Sequence, residues 1–188
     1  MIRAIITDFD GTLVDTFDAN FFAYQKAFDS LGLNLTADKY RQCFGYRFDR
    51  FMTEIGIYDD KVSNYIKEAK KEFYPQFFNY LKPNIALIEL ISSFHQMGGK
   101  TAIASTARKE NLMNVIGYLN LESIFDLVYA GVDVKYGKPS PEIYLKTMDT
   151  LGVIPSDTLI FEDSQVGIEA AKASNAHYMK VSSENFEV

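Results

Sequence analysis

Short apolar runs recur along this chain, separated by longer segments in which apolar residues return every three or four positions. The short runs have the length of buried strands, and the longer segments have the spacing of helices with one apolar face. Buried strands that alternate with helices predict an α/β fold with a Rossmann-like parallel sheet, covered by helices on both faces. The predicted strands are Ala4–Thr7, Thr101–Ser105, Leu127–Ala130, Thr158–Phe161 and Tyr178–Val181.

Residues 15–81 break this alternation, because helical spacing continues through them without a strand-like run. Aromatic residues such as Phe17 and Phe21 recur on one face and predict a core between helices. We therefore expect a helical cap, residues 15–81, inserted after the first strand of the α/β core, which would comprise residues 1–14 and 82–188.

The composition narrows the classes of partner. Apolar residues make up 47% of the 188 positions, which is enough for a sizeable core. The formal net charge of −6 argues against nucleic acid as a partner. Cys43 is the only cysteine, and no apolar run reaches the length of a bilayer span or of a signal-peptide core. These features predict a cytoplasmic protein without a membrane partner, either a monomer or a homodimer.

Polar and charged residues follow the predicted strands. Because parallel strands bring their carboxyl ends to one edge of the sheet, these residues should meet there. Clustered carboxylates repel one another and need a cation, and Mg²⁺ binds through a few carboxylates together with substrate phosphate. The residues concerned are Asp8, Asp10, Ser105, Thr106, Lys138, Glu162 and Asp163.

Four segments in this order resemble the motifs of the haloacid dehalogenase-like hydrolase superfamily. They read DFDGTLVDT, AIAST, GKPSPEIY and FEDSQVGIEAAKASN. The helical insertion directly after the first motif resembles the cap of the subfamily that includes phosphoglycolate phosphatase and β-phosphoglucomutase. The resemblance covers nearly the whole chain apart from that insertion and the last few residues.

The resemblance implies a role for each catalytic residue. Asp8 would be the nucleophile that forms an aspartyl-phosphate. Asp10 would protonate the leaving oxygen and later activate water. Ser105 and the backbone N–H of Thr106 would hold the phosphoryl oxygens, and Lys138 would neutralise charge on the nucleophile and the phosphoryl group.

The same resemblance implies a Mg²⁺ site. Its ligands would be the side chains of Asp8 and Asp163 and the backbone carbonyl of Asp10. Glu162 would be a further ligand, either directly or through water. The ion would reduce repulsion between the nucleophile and an anionic substrate.

These features predict an enzyme, a Mg²⁺-dependent phosphatase that acts on a small phosphorylated metabolite. Dehalogenase members lack an acid at the position of Asp10, so its presence favours phosphoryl transfer on oxygen. A β-phosphoglucomutase-like sugar phosphomutase is the alternative, although Asn20 stands where the mutase has a histidine. A non-catalytic binding module on the same scaffold is the other alternative. Asn20 and Arg47 are candidate substrate contacts from the cap.

Overall fold

The computed structural model of this chain describes residues 1–182 and residue 186. The chain divides into two units by its internal contacts: Met1–Asp15 together with Lys82–Val188, and Thr16–Leu81. We call the first the α/β unit and the second the helical unit. The expected core range reaches residue 188, and residues 183–185, 187 and 188 lie outside the described part of the chain.

Strands and helices alternate through the α/β unit, whereas helices alone make up the helical unit. The strands are β1 (Ala4–Thr7), β2 (Val14–Asp15), β3 (Lys82–Pro83), β4 (Lys100–Ala104), β5 (Leu127–Tyr129), β6 (Thr158–Glu162) and β7 (His177–Lys180). The α-helices are α1 (Phe17–Asp29), α2 (Ala37–Cys43), α3 (Phe48–Glu54), α4 (Asp60–Phe73), α5 (Ile85–Gln96), α6 (Lys109–Tyr118), α7 (Glu142–Leu151) and α8 (Gln165–Ala173). Short 3₁₀ helices cover Tyr74–Tyr80, Glu122–Ile124, Gly131–Asp133 and Pro155–Asp157.

Five strands form a parallel sheet in the order β5-β4-β1-β6-β7. The predicted α/β fold with a parallel sheet is therefore confirmed, and each predicted strand lies within one residue of an observed strand. β1 is central, and all four of its residues are buried. The antiparallel pair of β2 with β3 was not predicted, because strands of only two residues carry no periodic pattern.

The core of the α/β unit lies between the sheet and the helices that pack against it. Ile6 on β1 is fully buried and lies level with Ala102 on β4 and Ile160 on β6. Capping residues end one helix and begin another near this core. Gly152 ends α7 with a positive φ of 68°, a conformation that glycine adopts without steric penalty. The Ser164 hydroxyl caps the start of α8.

The helical unit has an aromatic core, as the sequence predicts. The ring of Tyr40 lies 5.3–5.9 Å from five other aromatic rings. Offset and edge-on ring pairs at this separation add to the stabilisation from buried area. Cys43 is buried in the same core as a free thiol.

Replacing Ile6 by alanine tests the importance of the central strand. Because Ile6 is fully buried between neighbouring strands, Ile6→Ala should lower the free energy of unfolding by about 2–5 kcal/mol. Urea unfolding followed by circular dichroism measures this loss. Ile154→Ala is the matched control, since Ile154 is 59% exposed and its truncation should change stability little. Equal losses in the two variants would contradict the assigned core.

Candidate active site

The sheet register brings together acidic residues that are far apart in sequence. Thr7 on β1 lies level with Phe161 on β6, and the Asp8 N–H donates to the Phe161 carbonyl at 2.9 Å. Asp8 and Glu162 are therefore level at the carboxyl ends of adjacent strands, and Asp163 follows directly. Carboxylate oxygens of Asp8, Glu162 and Asp163 lie within 4.8 Å of one another.

Lys138 lies between two of these carboxylates. Its ammonium donates to Asp8 Oδ1 at 2.5 Å and to Glu162 Oε1 at 2.6 Å. The lysine side chain is only 4% exposed, so both ion pairs are shielded from water. Shielded, charge-assisted hydrogen bonds of this kind are much stronger than surface ion pairs.

Glu162 is fully buried, and both of its carboxylate oxygens are hydrogen-bonded. Oε1 accepts from the Tyr144 hydroxyl at 2.9 Å and from Lys138. Oε2 accepts from the backbone N–H and the hydroxyl of Ser164, each at 3.1 Å. A carboxylate has about four lone-pair sites, so these four donors use its capacity. A Cβ at Gly167 would overlap the same carboxylate, which explains a glycine in the first turn of α8.

Asp163 is held by the turn that follows β1. The Thr12 hydroxyl donates to Asp163 Oδ1 at 2.7 Å. Gly11 has a φ of +89°, and a Cβ there would lie 2.5 Å from Asp163 Oδ2. Glycine is therefore required at this position both for the backbone conformation and for the close approach of the carboxylate.

Burial and charge shift the pKa values of this cluster. Burial raises the pKa of Asp8 well above its usual value; Lys138 opposes the shift, and Glu162 and Asp163 add to it. Burial also raises the pKa of Asp163. For Lys138, burial acts to lower the pKa, but the attraction of Asp8 and Glu162 and contact with Tyr144 outweigh it and raise the pKa well above normal. The ammonium therefore stays charged.

The cluster fits a divalent cation. When all three carboxylates are ionised, one ammonium leaves two negative charges unbalanced. Within the described residues, Asp8 Oδ2 accepts no hydrogen bond, and the Thr12 hydroxyl binds Oδ1 of Asp163, so each carboxylate can offer its other oxygen to a metal ion. An all-oxygen donor set is typical of hard ions such as Mg²⁺.

Asp10 lies in the turn next to this cluster. It is half-buried and forms an isolated bridge with Val14. The N–H of Gly11 donates to the Val14 carbonyl at 2.8 Å, so the chain reverses directly after Asp10. Among the described residues, the group of three carboxylates does not include Asp10.

Ser105 and Thr106 reach the same edge of the sheet through β4, the neighbour of β1. Ser105 is buried, and its N–H donates to the Tyr129 carbonyl at 3.0 Å. Its hydroxyl oxygen accepts from the Ala107 N–H at 3.0 Å, and Thr106 is half-buried. A Cβ at Gly131 would lie 2.6 Å from the Thr106 carbonyl oxygen, so this loop packs closely against the segment after β5.

The two candidate contacts from the insertion lie in the helical unit. The side-chain amide of Asn20 donates to the Thr16 carbonyl at 3.1 Å and lies 3.4 Å from the Tyr74 hydroxyl. Arg47 is exposed at the start of α3. Their contact with substrate stays a prediction.

Sequence reasoning missed Tyr144 and Ser164 as partners of Glu162. Tyr144 occupies an apolar position of a helix, where its ring alone accounts for the pattern. Ser164 follows an acidic pair and has the ordinary signature of a helix N-cap. Neither sequence pattern reveals that the hydroxyl groups of Tyr144 and Ser164 also donate hydrogen bonds to Glu162.

Residues 5–181 match the family model of haloacid dehalogenase-like hydrolase. The chain belongs to this family. A phosphorylated carbohydrates phosphatase of Thermotoga maritima is 33% identical to this hydrolase over 92% of the chain and 82% of the relative. A phosphoglycolate phosphatase of Aquifex aeolicus is 30% identical over 91% of the chain and 80% of the relative.

Solved structures agree with this assignment. The crystal structure of CbbY from Rhodobacter sphaeroides in complex with phosphate has a TM-score of 0.83 and 26% identity to this hydrolase. The similarity covers 97% of this chain and 88% of that chain. Across the described residues of this hydrolase, the helices are too short or too polar to cross a lipid bilayer.

Removal of one candidate ligand tests the metal site. Mg²⁺ should raise the thermal unfolding midpoint of this hydrolase, because an ion that binds only the folded state stabilises it. EDTA should reverse the increase, and Asp163→Asn should greatly reduce it by removing a carboxylate. Differential scanning fluorimetry across a Mg²⁺ titration measures the effect.

Asp149→Asn is the control for that titration, since it removes one negative charge at an exposed position of α7. It should keep the wild-type response. An equal response in the Asp163 variant would exclude Asp163 as a ligand.

Proposed function

We propose that this protein is a Mg²⁺-dependent phosphatase that hydrolyses a small phosphorylated metabolite through an aspartyl-phosphate on Asp8. One observation carries the proposal: Lys138 binds Asp8 at one oxygen while the other oxygen has no hydrogen bond from the described residues. The carboxylate is thus oriented and retains a free lone pair. The phosphatase relatives support the same reaction class.

The first step transfers the phosphoryl group to Asp8. An Asp8 oxygen forms a bond to phosphorus as the bond between phosphorus and the ester oxygen breaks. Asp10 donates its proton to that oxygen, and the substrate leaves as an alcohol. Lys138 stabilises the negative charge on the nucleophile and the phosphoryl oxygens.

The second step releases phosphate. Asp10, now ionised, takes a proton from water, and the water oxygen bonds to phosphorus as the bond from phosphorus to Asp8 breaks. This restores Asp8 as a carboxylate and Asp10 as an acid. Ser105 and the N–H of Thr106 would hold the phosphoryl oxygens in both steps, as their common sheet edge with Asp8 supports.

Mg²⁺, when bound, would neutralise negative charge on the cluster and on the substrate phosphate. We assign the side chains of Asp8 and Asp163 and the backbone carbonyl of Asp10 as its protein ligands. Glu162 was a further candidate ligand. We now assign it to orienting Lys138, because protein donors already occupy both of its oxygens.

The names of two relatives support a substrate class. Because one relative is named for phosphorylated carbohydrates and another for phosphoglycolate, we propose a small phosphorylated carbohydrate or acid. We also propose that the helical unit is the cap and selects the substrate, with Asn20 and Arg47 as contacts. The cytoplasmic location and the choice between monomer and homodimer stay predictions.

Loss of the nucleophile tests the mechanism. Asp8→Asn should lower turnover by about 10⁴-fold or more and abolish the phosphoenzyme, because an amide is a poor nucleophile. Asp10→Asn should lower turnover by about 10²–10⁴-fold through loss of the general acid. Phosphate release from a metabolite panel with Mg²⁺ or with EDTA, together with mass spectrometry of the protein, measures both effects.

Asp149→Asn serves as the control and should hydrolyse at the wild-type rate. Undiminished turnover in Asp8→Asn would refute the aspartyl-phosphate. No phosphate release by the wild type across the whole panel would favour a binding module on this scaffold.

The fate of a hexose 1-phosphate distinguishes hydrolysis from isomerisation. We expect free phosphate and no 6-phosphate isomer, because Asn20 replaces the histidine that the mutase has at this position. ³¹P NMR of the reaction mixture separates the two products. Accumulation of the 6-phosphate isomer without phosphate release would identify a mutase instead.

A further inference from the structure

We infer that Tyr144 is a positioning residue of the active site, acting through Glu162 to hold the Lys138 ammonium against Asp8. The inference rests on the proposed function, since it assigns a role in that same reaction. It adds a residue that lies on a helix behind the site.

Tyr144 contacts both partners of the ion-pair network. Its side chain is fully buried in α7, and its hydroxyl donates to Glu162 Oε1 at 2.9 Å. The Lys138 ammonium lies 4.9 Å from the centre of the Tyr144 ring, within the range of a cation–π interaction. Tyr144 thus interacts with Lys138 directly through its ring and indirectly through the Glu162 carboxylate.

The shared oxygen makes the position of Lys138 depend on the hydroxyl. Oε1 of Glu162 accepts from Tyr144 and from Lys138, whereas Oε2 is held by Ser164. The Glu162 carboxylate packs so closely against Gly167 that a Cβ at this position would overlap it. Without the hydroxyl, Oε1 of Glu162 would be restrained by Lys138 alone, and only the hydrogen bonds from Ser164 to Oε2 would still orient the carboxylate that positions the lysine.

A structural role alone does not require the hydroxyl. Tyr144 belongs to a buried core cluster that also contains apolar residues such as Ile6, Met148 and Ala170. A phenylalanine would fill nearly the same volume without bringing a polar group into the core, where a hydroxyl is unfavourable unless it is hydrogen-bonded. Burial raises the pKa of Tyr144 well above its usual value, so the phenol keeps the proton that it donates.

Tyr144→Phe tests the inference, because it removes the hydroxyl and keeps the ring. With p-nitrophenyl phosphate and Mg²⁺, kcat should fall about tenfold while KM changes by less than about twofold. Tyr129→Phe is the matched control. Tyr129 lies on the edge strand β5, and its hydroxyl also forms a hydrogen bond within the fold, with Thr150 Oγ1 at 2.8 Å. The kcat of Tyr129→Phe should therefore stay near the wild-type value.

A double-mutant cycle shows whether Tyr144 acts through Glu162. If it does, the variant carrying Tyr144→Phe and Glu162→Gln should have a kcat within about twofold of Glu162→Gln alone. A purely structural role would instead lower the unfolding midpoint and multiply the two losses in kcat.

The possible outcomes separate the two proposals. If the wild type hydrolyses the ester and the Tyr144→Phe variant hydrolyses it equally fast, the inference about Tyr144 is wrong, whereas the proposed phosphatase function stands. Multiplicative effects in the cycle would overturn it as well. A wild-type protein that hydrolyses neither this ester nor any member of the metabolite panel would overturn the proposed function and this inference together.

Discussion

Repulsion among three clustered carboxylates, two of them buried, is the constraint around which this site is built. Asp8, Glu162 and Asp163 converge because parallel strands end at one edge, and the burial of Asp8 and Glu162 reduces the screening that water would provide. One lysine balances part of that charge. The remaining negative charge favours the binding of a hard divalent cation.

The three carboxylates are held in different ways, and each way suits a different task. Glu162 is bonded at both oxygens and is thereby immobilised. Asp163 receives one hydroxyl and has a second oxygen available for a ligand. Asp8 receives only the lysine and remains free on the side from which it would attack. Protein donors therefore occupy both oxygens of Glu162 but only one oxygen of Asp8, although the two residues have the same side-chain chemistry.

The strands and the edge that carries the site could be predicted from the sequence. Buried runs such as Ala4–Thr7 have a clear length and boundary, and a parallel sheet places its strand ends together. The motif resemblance separated Asp163, as a direct ligand, from Glu162, as a further ligand, but it could not reveal the donors that occupy both oxygens of Glu162. Tyr144 was equally hidden, since an aromatic residue on an apolar helix face reports its ring and not its hydroxyl. The β2–β3 pair is too short for any pattern.

That small pair has a consequence for how the family can diversify. Asp15 on β2 lies opposite Lys82 on β3, and the two side chains form an ion pair at 3.7 Å. The chain therefore leaves the α/β unit and returns to it at neighbouring residues, with the helical unit between them. Because the entropy of closing a loop rises only slowly with its length, segments of other sizes can be exchanged at this junction. Evolution can thus remodel the insertion while the strand register that aligns the acidic residues stays unchanged.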